Sequence, residues 1–212
     1  MKKKPPIKNI ETRKYSFSIR ADNNEKHGDF VTGRPIVYNV ETDICGLFKE
    51  IIDEGALDNA DLKDVKFLIN HNTDMIPLAR SRNNNANSTM QMSVDKNGME
   101  IRVDLDTENN SESKNLYSAI KRGDIDGMSF MFSVEEERWE SLDSDYPTRH
   151  IIKIGEVIEV SAVTFPAYAE TSISARSENS LDNEFVKTLE SAKEAELESL
   201  KKEIKNKINK GV

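Results

Sequence analysis

Along much of this chain apolar and polar residues alternate with a period of two, the mark of strands that bury one face. In "RKYSFSIR", Tyr15, Phe17 and Ile19 alternate with Lys14, Ser16 and Ser18, which predicts a half-buried strand. "GRPIVYNV" (33–40) is a second, shorter candidate, and "VKFLINHN" a third whose end carries His71. The clearest pattern is "MQMSVDKNGMEIRVDL". Met90, Met92 and Val94 alternate before Asn97-Gly98, and Met99, Ile101, Val103 and Leu105 alternate after it. Asn-Gly between two such runs predicts a hairpin on a type I′ turn, whose two central residues both need positive φ. In "GDIDGMSFMFSV", Met128, Phe130, Phe132 and Val134 form one face, and Ser129, Met131 and Ser133 form the other, wetter one. "RHIIKIGEVIEVSAVTFPAY" predicts two strands, broken at Gly155, from Ile152, Ile154, Ile158, Val160 and Ala162.

Helical spacing is rarer. "LFKEIIDEG" predicts a helical turn or short helix stopped by Gly55. "SESKNLYSAIKRG" places Leu116 and Ile120 at i,i+4 before a Lys-Arg-Gly stop and predicts another short helix. After Arg176 the texture changes. Phe185, Leu189, Ala192, Leu197, Leu200, Ile204 and Ile208 step mostly by three or four, which predicts one amphipathic helix of about 40 Å at 1.5 Å per residue. Lys193 and Glu196 intrude on its seam, so it supports a weak coiled coil at best. "SRNNNANS" (81–88) is a polar loop with no core-forming residue. The organisation expected is α+β. A Lys- and Pro-rich flexible lead covers residues 1–13, a strand-rich domain 14–176, and a charged helical tail 177–212.

Composition narrows the function. The net charge of −8 argues against a general nucleic-acid binder, because phosphate contacts need clustered Lys and Arg. No apolar run is long enough for a transmembrane helix, and "MKKKPPIKNIE" is not followed by the apolar stretch of a secretory signal. Cys45 is the single cysteine, read as a small buried residue suited to a reducing compartment. A soluble cytoplasmic protein is expected. There are three histidines, His27, His71 and His150, with no HExxH, no Cys/His cluster and no phosphate-binding glycine loop. A metal site on His71 and Asp74 has too few ligands, so no metal and no cofactor is expected.

A serine hydrolase needs a serine, a base for its proton and a group that orients the base. Ser129 and His71 fit the first two roles, and Glu159, His150 and Asp126 are the candidates for the third. "GMSF" lacks the second glycine of a GxSxG elbow. On spacing alone, a lone serine on a strand and a histidine at a strand end are more often structural than catalytic. Candidate oxyanion donors are backbone amides near Ser129 or around residues 164–166. Arg80 and Arg82 read as exposed, solubilising arginines. Trp139, within the solvated acidic stretch "VEEERWESLDSD", reads as a packed aromatic, and Pro166 and Tyr168 as structural support.

Four stretches in order, "FKEIIDEGAL", "VKFLINHN", "IKRGDIDGMSFMFSV" and "IGEVIEVSAVTFPAYAETSISAR", resemble the tailed-phage prohead serine proteases, which process capsid and scaffold proteins during head maturation. The resemblance runs from about residue 15 to residue 176. Distant likeness to the herpesvirus assemblins implies a mostly antiparallel, barrel-like core with short helices around it. The resemblance makes the "NHN" histidine, His71, the general base and the "GMSF" serine, Ser129, the nucleophile. It favours the "EVS" acid, Glu159, as the third member, with His150 as the alternative. Family members often carry glycine where this chain has Met131. The implied activity is a serine endopeptidase acting on the phage major capsid protein with its scaffold segment and on itself, as a possible homodimer. It would act in the host cytoplasm inside the assembling prohead, without nucleic-acid or membrane partners. The C-terminal helix would target the protein into the prohead or be removed by self-cleavage. The alternative is a non-catalytic capsid assembly or scaffolding factor on the same fold.

Overall fold

The computed structural model describes residues 10–15, 19–24, 28–44, 46–164 and 178–209. They form β1 (Ile10–Tyr15), β2 (Ile19–Asn24), β3 (Gly28–Val37), β4 (Thr42–Ile44), β5 (Phe48–Ile52), β6 (Asp64–Ile69), β7 (Ala79–Arg82), β8 (Met90–Asp95), β9 (Gly98–Asp104), α1 (Ser111–Arg122), β10 (Gly127–Glu140), β11 (Thr148–Val163) and α2 (Glu178–Asn209). The chain divides into two compact units, one of residues 1–40, 52–137 and 151–168, the other of residues 41–51, 138–150 and 169–212. The architecture is α+β.

The first unit holds two groups of strands. In one, β1 pairs antiparallel with β10, β10 lies beside β11, β11 pairs in parallel with β6, and β6 pairs antiparallel with β7. The other is an antiparallel sheet in the order β2-β3-β9-β8. Neither closes on itself among the described residues, so open sheets stand where a barrel-like core was expected. Both supply the same apolar core, Val31 and Ile101 from one, Phe67, Phe130 and Val160 from the other. The helix expected at "SESKNLYSAIKRG" is α1. Asn110 caps its first turn, Gly123 ends it in the left-handed region, and Leu116 and Ile120 are its buried stripe.

In the second unit β4 pairs antiparallel with β5. A buried ion pair joins Glu50 to Arg149 at 3.1 Å, and Trp139 packs edge-on against Phe48 with ring centroids 5.0 Å apart. Leu197 and Leu200 on α2 are about half exposed.

Several sequence expectations change. "LFKEIIDEG" forms β5 rather than a helix, because Phe48, Glu50 and Ile52 share its buried face. Glu50, matched by Arg149, disguised the alternation. "RKYSFSIR" is divided between β1 and β2, with residues 16–18 outside the described residues, and β1 begins at Ile10, inside the expected lead. The Asn-rich loop is less inert than expected. Ser81 and Ser88 are buried, and the Asn84 side-chain amide bonds both N–H and C=O of Met92. Gly155 does not break β11, which is one strand. A Cβ there would stand 2.9 Å from Ser133 Oγ, so the glycine lets β10 approach. Cys45 and His27 lie outside the described residues.

The β8–β9 hairpin forms where expected, but not on a type I′ turn. Asp95 pairs with Gly98, and positive φ falls on Gly98 alone, at 122°. A Cβ on Gly98 would sit 2.1 Å from the Ile36 carbonyl oxygen, so position and conformation both demand glycine. Gly98→Ala is therefore expected to destabilise the first unit by about 2–3 kcal/mol or more, measured by urea unfolding.

Candidate active site

The site is built where β6 and β11 run side by side. Their parallel register sets Glu159 beside Lys66, Val160 beside Phe67, Ser161 beside Leu68 and Ala162 beside Ile69. Strand alternation sends Phe67, Val160 and Ala162 into the core and turns Glu159 and Ser161 to the opposite face. At the end of β6, Asn70 and His71 both take left-handed φ, 51° and 58°. That region is uncommon for any residue but glycine and costs about 1–3 kcal/mol, although Asn and His enter it more readily than most. A clamp holds the strained turn. Asn70 N–H donates to the Ala162 carbonyl at 2.9 Å, and the Asn70 side chain accepts from Thr164 N–H and donates to Thr164 Oγ1, each at 2.9 Å.

This turn swings the His71 ring onto β11. His71 Nδ1 lies 2.5 Å from Glu159 Oε1, and the His71 backbone N–H donates to Ser161 Oγ at 3.1 Å. Ser161 Oγ in turn donates to Glu159 Oε2 at 2.6 Å. Glu159 is buried, 1% exposed, with one partner on each oxygen. An ionised carboxylate only accepts, so the network assigns the proton to Nδ1 of His71. Nε2 is then the acceptor nitrogen, and it is buried with no hydrogen-bond partner among the described residues. An imidazole fixed on one side with its second nitrogen open is equipped to receive a proton.

Ser129 lies on β10, whose Met128, Phe130 and Phe132 belong to the core, so Ser129 faces the other way. That is the face that Glu159 and Ser161 occupy on neighbouring β11. The wetter face expected for Ser129 is not wet, since the residue is 0% exposed. Its hydroxyl donates to the Arg13 carbonyl of β1 at 2.6 Å, and no hydrogen bond joins it to His71 among the described residues.

The other candidates have surroundings of their own. His150 lies in the second unit, with Nε2 3.6 Å from Glu140. Asp126 is exposed, and its carbonyl accepts from Ile19 N–H. Arg80 makes a two-point contact with Asp64 on the surface, and its guanidinium holds the Asp64 carboxyl below the usual carboxylate range. Arg82 is exposed, while Pro166 and Tyr168 lie outside the described residues. Asp74 is exposed too, and no group of three or more His, Cys, Asp or Glu among the described residues is placed to hold a metal ion. No helix of the described residues is long and apolar enough to cross a membrane. Sequence reasoning missed Ser161 and Asn70. The signal for Ser161 was its place two residues after Glu159 on a strand, which puts both on one face. The signal for Asn70 was an asparagine at a strand end, a common left-handed residue.

The sequence comparisons with known proteins point the same way as the ordered stretches. The prohead protease of Enterobacteria phage HK97 is 30% identical over 161 residues, which cover 74% of this chain and 64% of that protein. The chain thus spans a little under two thirds of that relative's length. The structure of the bacteriophage T4 capsid assembly protease aligns with 73% of this chain and 97% of its own, at 14% identity and a TM-score of 0.43. Residues 15–184 match the sequence profile of the family described as caudovirus prohead serine protease. With most of its length inside that match, the chain belongs to the caudovirus prohead serine protease family.

Proposed function

We propose that the chain is a serine endopeptidase of phage head maturation, with Ser129 as nucleophile, His71 as general base and Glu159 as the group that orients His71. The observation that carries this is the state of the His71 ring, with Nδ1 held by a buried carboxylate and Nε2 buried and without a partner among the described residues. In the productive state Ser129 Oγ leaves the Arg13 carbonyl and donates to Nε2. As Oγ attacks the scissile carbonyl carbon its proton passes to Nε2, and the Glu159 carboxylate stabilises the imidazolium without taking the proton. The imidazolium then protonates the leaving amine. Water, deprotonated by the same nitrogen, hydrolyses the acyl-enzyme. The substrates proposed are the capsid protein with its scaffold segment and the chain itself, cut inside the prohead. A homodimer is part of the proposal.

Co-expression with the phage's own capsid protein tests the reading, with intact-mass spectrometry of both chains. Wild type is expected to give trimmed capsid protein and a trimmed protease, and Ser129→Ala neither, a loss of about 10³-fold or more. Intact chains from wild type in normally assembled particles would make the protein an assembly factor rather than a protease.

Ser161 is expected to act through its neighbours. Ser161→Ala frees one carboxylate oxygen of Glu159 and the N–H of His71, and should lower kcat about 10- to 100-fold with KM little changed. Ser161→Thr, which keeps the hydroxyl, should recover most of the rate. A loss shared equally by both variants would point to packing rather than positioning.

A further inference from the structure

A serine that attacks peptide carbonyls is already in contact with one, and it belongs to this chain. Ser129 is fully buried, and its Oγ donates to the carbonyl oxygen of Arg13 at 2.6 Å. β1, which supplies that carbonyl, lies antiparallel on β10 in an unbroken register from Ile10 opposite Ser133 to Tyr15 opposite Met128, with Lys14 facing Ser129. Among the described residues the sheet order ends at β1, so withdrawing β1 would uncover the hydrogen-bonding edge of β10 around Ser129. Such an edge takes up an extended polypeptide by main-chain pairing, with no demand on its sequence beyond what the side chains meet.

β1 is also a strand of unusual make-up. Of its side chains Ile10 to Arg13, none belongs to the apolar core. Ile10 is 44% exposed, and the two buried positions are Glu11 and Arg13, which are ion-paired with each other. A buried ion pair contributes little net stability, because desolvation offsets the attraction. Both charges sit on β1, and the Arg13 guanidinium also lies over the Phe132 ring of β10, 5.7 Å from its centroid, a contact that β1 gives up when it leaves.

On the reading of Ser129 as nucleophile, we propose that β1 stands in the substrate's place. The edge of β10 between Met128 and Ser133 is the subsite for an extended polypeptide substrate, and β1 vacates it before cleavage. While β1 is in place, Oγ donates its proton to the carbonyl oxygen instead of presenting its lone pair to the carbonyl carbon. The Arg13–Lys14 bond therefore blocks the nucleophile without being cut.

A reversible tether tests this. Thr12 and Met131 face each other in the register, so Thr12→Cys with Met131→Cys, in a Cys45→Ala background, places two thiols for a cross-strand disulfide. Labelling of Ser129 by a fluorophosphonate and cleavage of the capsid protein are followed before and after reduction with dithiothreitol. Oxidation is expected to slow both at least about tenfold relative to the same protein reduced. Equal rates in the two states overturn the proposal. If wild type and the reduced variant both resist the probe and leave capsid protein intact, the nucleophile assignment fails first and takes this proposal with it. Should the variant not fold, the free peptide IETRKY (residues 10–15) is added to wild type instead. Slower capsid cleavage is expected, and no effect at millimolar peptide overturns the proposal.

Discussion

The parallel contact between β6 and β11 is the constraint on which the rest depends. Side chains on a strand change face at every residue, so a slip of one position would turn Glu159 toward Phe67 and the core. A carboxylate cannot be left there without partners, since an unpaired buried charge costs several kcal/mol in practice. The same register that fills the core with Phe67 and Val160 therefore puts the acid, its supporting hydroxyl and the end of β6 on one face. Core packing and site geometry are one decision, taken along four residue pairs.

That contact also explains what could be read in the sequence and what could not. Elements with a local signature were legible. α1 carries its own cap, stripe and stop, and the β8–β9 hairpin carries alternation around a glycine. β5 was not, because its buried face includes Glu50, whose partner Arg149 lies 99 positions away in the chain. The same holds in the site. His71 and Glu159 were visible as candidates only by residue type and by resemblance, because the link between them spans 88 positions and passes through a parallel pairing. Ser161 needed no long-range information to share a face with Glu159. Its role still depended on the His71 backbone reaching it, which no periodicity encodes.

Charged and hydroxyl side chains at buried strand positions recur in both units. Glu11 with Arg13, Glu50 with Arg149, and Glu159 with Ser161 and His71 all occupy places that a period-two reading assigns to apolar residues. Each is matched by a partner of the right chemistry, which removes most of the desolvation penalty but adds little beyond an apolar pair. What such groups supply is direction, because a carboxylate with both oxygens engaged fixes its partners to within a hydrogen bond's tolerance. Direction is of small use in a core and of great use in a site.

The His71 turn departs most from what folding alone favours. A histidine in the left-handed region and a buried ring nitrogen without a partner among the described residues each work against stability, the second by about 1–3 kcal/mol. Neither is forced by the strands around them. β6 could end in two residues with ordinary backbone, and Nε2 could be met by any nearby donor. The surrounding bonds oppose both relaxations. Asn70 is held by Thr164 and the Ala162 carbonyl, His71 N–H is held by Ser161, and Nδ1 is held by Glu159. Bonds that hold a strained residue in place while one of its atoms meets no partner among the described residues are what a base awaiting a proton requires. In the mechanism proposed that proton is the one on the Ser129 hydroxyl.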